Sequence, residues 1–91
     1  MKIASFFAAA LFLLVLGAAA APVMYSVDST FIDQIGYDVE ARTLVVQMVN
    51  SSDVYSYANV PEDIFQRFLQ SESKGRYYVE HIKGKYTTMR D

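Results

Sequence analysis

The sequence predicts an α+β domain in which a three-stranded antiparallel β-meander packs against C-terminal helical structure, behind a signal peptide. Three observations predict this arrangement. The chain begins with a long apolar run, strand-like segments separated by short polar turns occupy residues 31–58, and apolar residues at helical spacing surround Pro61.

Residues 1–20 have the order of a secretory signal peptide. Lys2 supplies a positive start, residues 6–16 form an unbroken apolar run, and small residues follow. Ala18 and Ala20 fit the small positions before a cleavage site, so we expect cleavage after Ala20. The alternative is an uncleaved membrane anchor, because a spanning helix needs roughly 20 apolar residues. Alanine drives insertion weakly and no basic flank follows, so the sequence favours a periplasmic or secreted protein without stable membrane insertion.

Cleavage there leaves residues 21–91 as one small domain that contains no cysteine. A disulfide framework and a thiolate metal site are therefore excluded, although small exported proteins often use disulfides. A chain of about 70 residues buries little more than about 60% of its unfolded surface. Three phenylalanines and seven tyrosines in this part of the chain offset that, because large rings bury much area.

Three segments have the residue types of strands, and a short mixed segment at 22–29 has some strand character as well. The middle segment is the clearest, because Leu44, Val46 and Met48 alternate with more polar residues on one face. In the third, Tyr55 and Tyr57 share one face. Because the connections are short, the strands are expected to form an antiparallel meander. The three segments are residues 31–38, 43–49 and 54–58.

One helix follows the strands. Pro61 suits a first helical position, and the two acidic residues after it complement the positive end of a helix. The apolar stripe ends before the polar residues 70–73. Its members are Val60, Ile64, Phe65, Phe68 and Leu69.

The stretch at 76–82 fits either a helix or a strand. Its β-branched and aromatic residues favour a strand. Tyr78, Ile82 and Tyr86 have helical spacing, however, and Gly84 stands where a helix would end. The residues alone leave both alternatives open.

Six ordered pieces of the chain together resemble the KTSC domain, which occurs at the C-terminus of some lysyl-tRNA synthetases and as a small stand-alone bacterial protein. The resemblance covers about residues 29–86, and the Tyr-x-Tyr hallmark of the family stands here as Tyr55 and Tyr57. The chain departs from the family in lacking a glycine before Tyr55 and in having Val79 where asparagine is common. The pieces are residues 32–38, 44–46, 55–57, 60–61, 73–75 and 82–86.

The resemblance implies a helix after Gly75. The predicted fold is therefore a three-stranded antiparallel β-meander packed against two C-terminal helices, preceded by a signal peptide. The family has no established activity, and its association with synthetases has suggested RNA binding.

Binding residues are predicted from aromatic and basic side chains. Tyr55 and Tyr57 are candidates for stacking on bases, as aromatic platforms do with single strands. Alternatively, they pack in the core under Ile64 and Phe68. If they stack, basic residues are expected to line the same groove. The candidates are Lys74, Arg76, Lys83 and Lys85.

Charge argues against a nucleic-acid partner. Residues 74–91 have five basic and two acidic side chains, whereas residues 21–73 have two basic and eight acidic ones. The predicted mature domain is acidic overall, and nucleic-acid binders usually present a basic surface.

No catalytic or metal-binding constellation is predicted. His81 is the sole histidine, and Glu80 beside it is expected to point elsewhere, so His81 is interpreted as a surface residue. An acidic group near the first turn matches no calcium loop and is interpreted as solvated. No cofactor is expected. The acidic residues are Asp28, Asp33, Asp38 and Glu40.

Three function classes remain. The sequence favours an exported, non-catalytic module that binds a protein, peptide or polymer partner. The second class is a nucleic-acid binder that uses Tyr55, Tyr57 and the basic C-terminal stretch. The third is a structural protein that self-associates through an exposed strand edge.

Overall fold

A computed structural model of the chain describes residues 22–90, so the predicted signal peptide lies outside the described residues. The described part is an α+β fold, as predicted, with one antiparallel sheet whose strands neighbour each other in chain order. The strands are β1 (Met24–Ser26), β2 (Ile32–Asp38), β3 (Thr43–Met48), β4 (Val54–Tyr57) and β5 (Thr88–Arg90). The helices are α1 (Glu62–Gln70) and α2 (Lys74–His81). Neither helix is long and apolar enough to cross a membrane.

The predicted count of three strands is wrong, because β1 and β5 extend the meander to five strands within residues 22–90. Both added strands have three residues and lie at the edges of the sheet. Tyr25 of β1 pairs with Ile35, and Thr88 of β5 pairs with Tyr57. Three residues are too few to show an alternating pattern, so pairing with a preformed neighbour decides their conformation.

Register places the apolar residues of the three central strands on one face. Ile35 pairs with Val46, and Leu44 lies between Tyr37 on β2 and Tyr57 on β4. Both hairpin turns contain a residue with positive φ, Arg42 at 54° and Asn50 at 57°.

A β-bulge at the start of β2 changes the face of its first residue. The register between β2 and β3 shifts between Ile32 and Gln34, so Ile32 and Ile35 are both fully buried although they are three positions apart. Phe31 precedes the strand, and this residue is 40% exposed. Strict alternation along residues 31–38 would instead place Phe31 on the same face as Ile35 and Tyr37.

The two helices cover the apolar face of the sheet. Phe65 of α1 stacks on Tyr37 with ring centroids 5.3 Å apart, and Tyr78 of α2 meets Tyr57 edge-on at 6.1 Å. Pro61 is the N-cap of α1 and not its first helical residue, so the helix begins one residue later than predicted. The core residues are Ile32, Ile35, Leu44, Val46, Tyr57, Val60, Phe65, Phe68, Tyr78 and Ile82.

Residues 74–81 form a helix, as the family resemblance implied. Ser73 is the N-cap, and its hydroxyl accepts a hydrogen bond from the backbone N–H of Arg76 at 3.2 Å. Tyr78 and Ile82 are both buried. Tyr78 lies on the buried face of α2, and Ile82, four residues later, is the C-cap of the helix. Gly84 has a φ of 78° in the turn that follows.

Candidate binding site

Phe31 occupies a fixed position at one end of the sheet. Its ring meets Tyr78 edge-on, with ring centroids 6.1 Å apart. The ring also lies directly over Gly75, where an added Cβ would be only 2.8 Å from Phe31 Cε1. The exposed ring is therefore held between the start of α2 and the tyrosine behind it, with grooves on two sides.

The first groove, which we call the aromatic groove, has a volume of about 450 Å³. Tyr57 and Tyr78 are 2% and 5% exposed and form its floor, whereas Tyr55 and Phe31 are more exposed. Lys83 is the only charged residue among the lining residues in the described part of the chain. The lining residues are Phe31, Met48, Tyr55, Tyr57, Tyr78, Lys83, Gly84 and Thr88.

The floor of the aromatic groove contains a pair of hydrogen-bonded phenols. The hydroxyl groups of Tyr57 and Tyr78 bond to each other, and either oxygen is able to donate. Burial raises the pKa of Tyr57, and the hydrogen bond to Tyr78 raises it further. The Tyr57 phenol is therefore neutral at physiological pH, and one of the two hydroxyl protons is left to donate to a third group.

The second groove, which we call the charged groove, lies on the other side of Phe31 and has a volume of about 660 Å³. Three carboxylates and two cations line it, so its charge is mixed. The Lys74 ammonium is already engaged, because it donates to the backbone carbonyl of Ser71 after α1. The lining residues are Asp28, Ser29, Thr30, Phe31, Glu72, Ser73, Lys74, Gly75, Arg76, Val79 and Glu80.

The six predicted binding residues do not share one groove. Tyr55, Tyr57 and Lys83 meet in the aromatic groove, whereas Lys74 and Arg76 line the charged groove. Lys85 is exposed and lines neither. Tyr57 is a core residue, which is the alternative that the sequence left open for it, and its neighbour is Tyr78 of α2.

Phe31 and Tyr78 are the aromatic residues of the groove that the sequence analysis did not predict. The adjacent apolar pair Phe31-Ile32 was a usable signal, because two neighbouring strand residues cannot both face the core without a bulge. Tyr78 was placed on a helical stripe, but nothing in the sequence indicated that its hydroxyl meets Tyr57.

His81 lies away from both grooves. Its ring contacts Tyr77 with centroids 4.4 Å apart. The prediction that Glu80 points elsewhere is wrong, because its Oε1 lies 3.9 Å from His81 Nε2. Both side chains are more than half exposed, so this is a solvent-exposed contact at the end of the helix, and such contacts contribute little to stability. This contact supplies no nucleophile.

One member of the predicted acidic group, Asp38, stabilises the backbone of a turn. Asp38 Oδ1 accepts from the N–H groups of Glu40 and Ala41, both at 3.1 Å, and so stabilises the turn between β2 and β3. Within residues 22–90, no three or more histidine or acidic side chains are placed to hold a metal ion.

Comparison with known proteins gives relatives of two kinds. The profile of the KTSC domain matches residues 28–86. A lysine–tRNA ligase of Trichormus variabilis is 32% identical over 59 residues, which are 65% of this chain but only 10% of the ligase. An uncharacterized protein of Stutzerimonas stutzeri is 30% identical over 61 residues, covering 67% of this chain and 84% of that protein.

A solved structure shares the fold. The crystal structure of a KTSC domain protein from Yersinia pestis superposes with a TM-score of 0.74 at 37% identity. It covers 78% of this chain and 99% of that chain. By contrast, the chain spans about a tenth of the length of the ligases that it matches.

Proposed function

Because the chain belongs to the KTSC domain family, a family of small domains without an assigned activity, we propose that it is an exported, non-catalytic binding module. Its partner, a protein, peptide or polymer, contacts Phe31 and enters the aromatic groove. The observation that carries this proposal is an exposed aromatic ring, packed against Gly75 and Tyr78, beside a concave surface of further rings.

The energetics of the groove favour binding over a purely structural role. An exposed phenylalanine presents apolar area to water, and covering it with a partner is favourable. Aromatic residues are enriched at the centres of interfaces. Since Gly75 and Tyr78 already fix the Phe31 ring, a partner does not have to immobilise it on binding.

The chemistry of the two grooves does not favour an enzyme. A nucleophile needs a base within hydrogen-bond reach, and the lining residues of the two grooves include no histidine or cysteine. The Tyr57 phenol stays protonated because its pKa is raised, so it is a poor nucleophile. What the aromatic groove offers is ring surface, one hydroxyl donor of the Tyr57–Tyr78 pair and one ammonium group.

Capture of a partner from the native envelope fraction tests the binding surface. The purified protein is used as bait beside Phe31→Ala and a matched control, Tyr25→Ala. Tyr25 is 46% exposed and lines neither groove. We expect Phe31→Ala to lose a partner that Tyr25→Ala retains. Equal capture by both variants would show that the partner contacts another surface.

Export is tested by the N-terminus of the protein from its host. Cleavage of the leader is expected to leave a chain that begins at Ala21 and fractionates with the periplasm or medium. A cytosolic protein that still begins at Met1 would contradict export, and nucleic-acid binding would then be the favoured function.

Single-stranded nucleic acid is the second candidate, because the aromatic groove combines rings with Lys83 and no lining carboxylate. The full chain has a net charge of −2, which opposes binding to phosphates. Fluorescence anisotropy with labelled single-stranded RNA and DNA at low and physiological salt separates the candidates. Salt-sensitive binding that Lys83→Gln weakens and Lys85→Gln does not would favour nucleic acid.

Self-association is the third candidate, through the edges formed by β1 and β5. Both edge strands have only three residues, a length that limits pairing with another chain. Sizing chromatography at two protein concentrations tests it, and a concentration-dependent dimer would favour this class over a monomeric binding module.

A further inference from the structure

We propose that the aromatic groove is a selective site for a planar ring that carries a single carboxylate, with the ring against Phe31 and Tyr55 and the carboxylate on Lys83. This inference rests on the proposed function, since it names the ligand chemistry of the same surface. The source of the carboxylate is either a free aromatic acid or the C-terminal residue of a polypeptide.

The shape of the groove suits one ring. Its volume of about 450 Å³ lies within the range of small-ligand pockets, roughly 300–1,000 Å³. The rings of Phe31 and Tyr78 are inclined at 64° to each other, so the wall and the floor form a corner. A planar ligand in such a corner stacks on one ring while its edge points at the other, which is the geometry that aromatic pairs prefer.

The charge of the groove selects an anion. Lys83 is the only charged side chain among the described lining residues, and it would repel a cation. The three carboxylates near Phe31 all line the charged groove instead. An anion in the aromatic groove therefore meets an ammonium group without an acidic side chain beside it.

The number of donors favours a carboxylate over a phosphate. A phosphate monoester has a charge near −2 and is typically bound by arginine forks or several cations. The aromatic groove supplies one ammonium group and the one hydroxyl proton that the Tyr57–Tyr78 pair leaves to donate, since the Thr88 hydroxyl already donates to the Tyr86 carbonyl at 3.2 Å. The raised pKa of Tyr57 keeps that phenol protonated, so it does not add a negative charge to the floor.

The test is an NMR titration of the purified protein with matched probes. The probes are 3-phenylpropionate, its amide, 3-phenylpropylamine, 3-cyclohexylpropionate and uridine monophosphate. We expect saturable shifts of the Phe31 and Tyr55 ring resonances with phenylpropionate, and binding about tenfold weaker for the amide, because a hydrogen bond to a charged group is lost. The cyclohexyl acid tests the need for a planar ring and is also expected to bind more weakly.

Lys83→Gln and Lys85→Gln form a matched pair of variants. Both remove one exposed ammonium group, but only Lys83 lines the groove. Lys83→Gln is expected to lower the affinity for phenylpropionate about tenfold. Lys85→Gln is expected to leave that affinity within about twofold of the value for the unchanged protein. Equal effects of the two substitutions, equal affinity for the amine, or tighter binding of uridine monophosphate would each overturn the assignment.

Two peptide arms identify the source of the carboxylate. A peptide that ends in phenylalanine is compared with the same peptide amidated at its C-terminus. Tighter binding of the free-carboxylate peptide than of phenylpropionate assigns the site to polypeptide ends, and the reverse order assigns it to free acids. If no acid binds but Phe31→Ala still abolishes partner capture, the carboxylate assignment fails and the binding module stands. If acids bind but Phe31→Ala captures the partner as well as the unchanged protein does, the carboxylate site stands and the proposal that the partner contacts Phe31 is wrong.

Discussion

Replacement of Gly75 with alanine separates the position of the Phe31 ring from the stability of the fold. The new Cβ would lie 2.8 Å from Phe31 Cε1 and 3.1 Å from Cζ, whereas carbon atoms pack at about 3.5–4.0 Å. The three nearest neighbours of that Cβ all belong to the Phe31 side chain, so we expect the exposed ring to move by roughly 1 Å while the backbone keeps its place.

Two opposing terms set the size of the stability change. Alanine in place of glycine in a helix gains up to about 1 kcal/mol. Displacement of Phe31 weakens its edge-on contact with Tyr78, and such contacts contribute about 0.5–1.5 kcal/mol. The net change is within about 1 kcal/mol, which corresponds to a shift in Tm of at most about 4–8 °C for a domain of this size.

The assay combines thermal unfolding, the NMR shifts of the Tyr78 ring and partner capture. Gly75→Ala is expected to keep the fold, shift the Tyr78 resonances and reduce capture. In the Phe31→Ala background the steric conflict is absent, so the same substitution is expected to stabilise the protein. A loss of several kcal/mol in both backgrounds would refute this reasoning, because it would give Gly75 a role unrelated to Phe31.

Other substitutions test the sheet, the core and the hydroxyl pair. Gly36→Ala places a Cβ 2.7 Å from the backbone oxygen of Val23, so hydrogen exchange should show β1 opening at a cost of about 1–3 kcal/mol; unchanged protection would contradict this. Phe68→Ala is expected to cost about 3–5 kcal/mol in chemical denaturation, and a cost below 1 kcal/mol would show that the core is not packed around this ring. Tyr57→Phe and Tyr78→Phe should each cost about 1 kcal/mol, and the double variant less than their sum, because both remove the same hydrogen bond; strict additivity would argue against the pair. Since burial raises the pKa of Tyr57, the unfolded chain releases its proton first, and stability should fall as pH rises above about 10; denaturant melts from pH 7 to 11.5 check this, and a smaller fall is expected in Tyr57→Phe.

The central meander and α1 were predictable because their patterns are long and regular. Leu44 and Val46 mark the buried face of β3, and Phe65 and Phe68 lie on the buried face of α1, as their spacing indicates. The second helix was not decidable from residue types, since tyrosine and valine favour strands. The hydrogen bond from the Arg76 N–H to the Ser73 hydroxyl, which caps a helix there, is seen only in the structure.

The candidate site was predictable only in part. Tyr55 and Lys83 line one groove, whereas Lys74 donates to the Ser71 carbonyl in the other and Lys85 lies outside both grooves. Such outcomes depend on where helices end relative to the sheet, which local spacing does not encode. The bulge that turns Phe31 away from the core is a further example, because it is a register shift between two strands.

The order of the strands makes one pairing of the sheet much less local than the others. Strands β1 to β4 pair across short turns, whereas β5 pairs with β4 across the segment from residue 58 to residue 87, which contains both helices. Local pairings form before such distant ones, since long loops cost more entropy to close. Thr88 reaches the aromatic groove through β5, an edge strand of three residues, so we expect this rim of the groove to open more readily than the β2–β3 hairpin. A bound ligand would then slow hydrogen exchange in β5 more than in the β2–β3 hairpin.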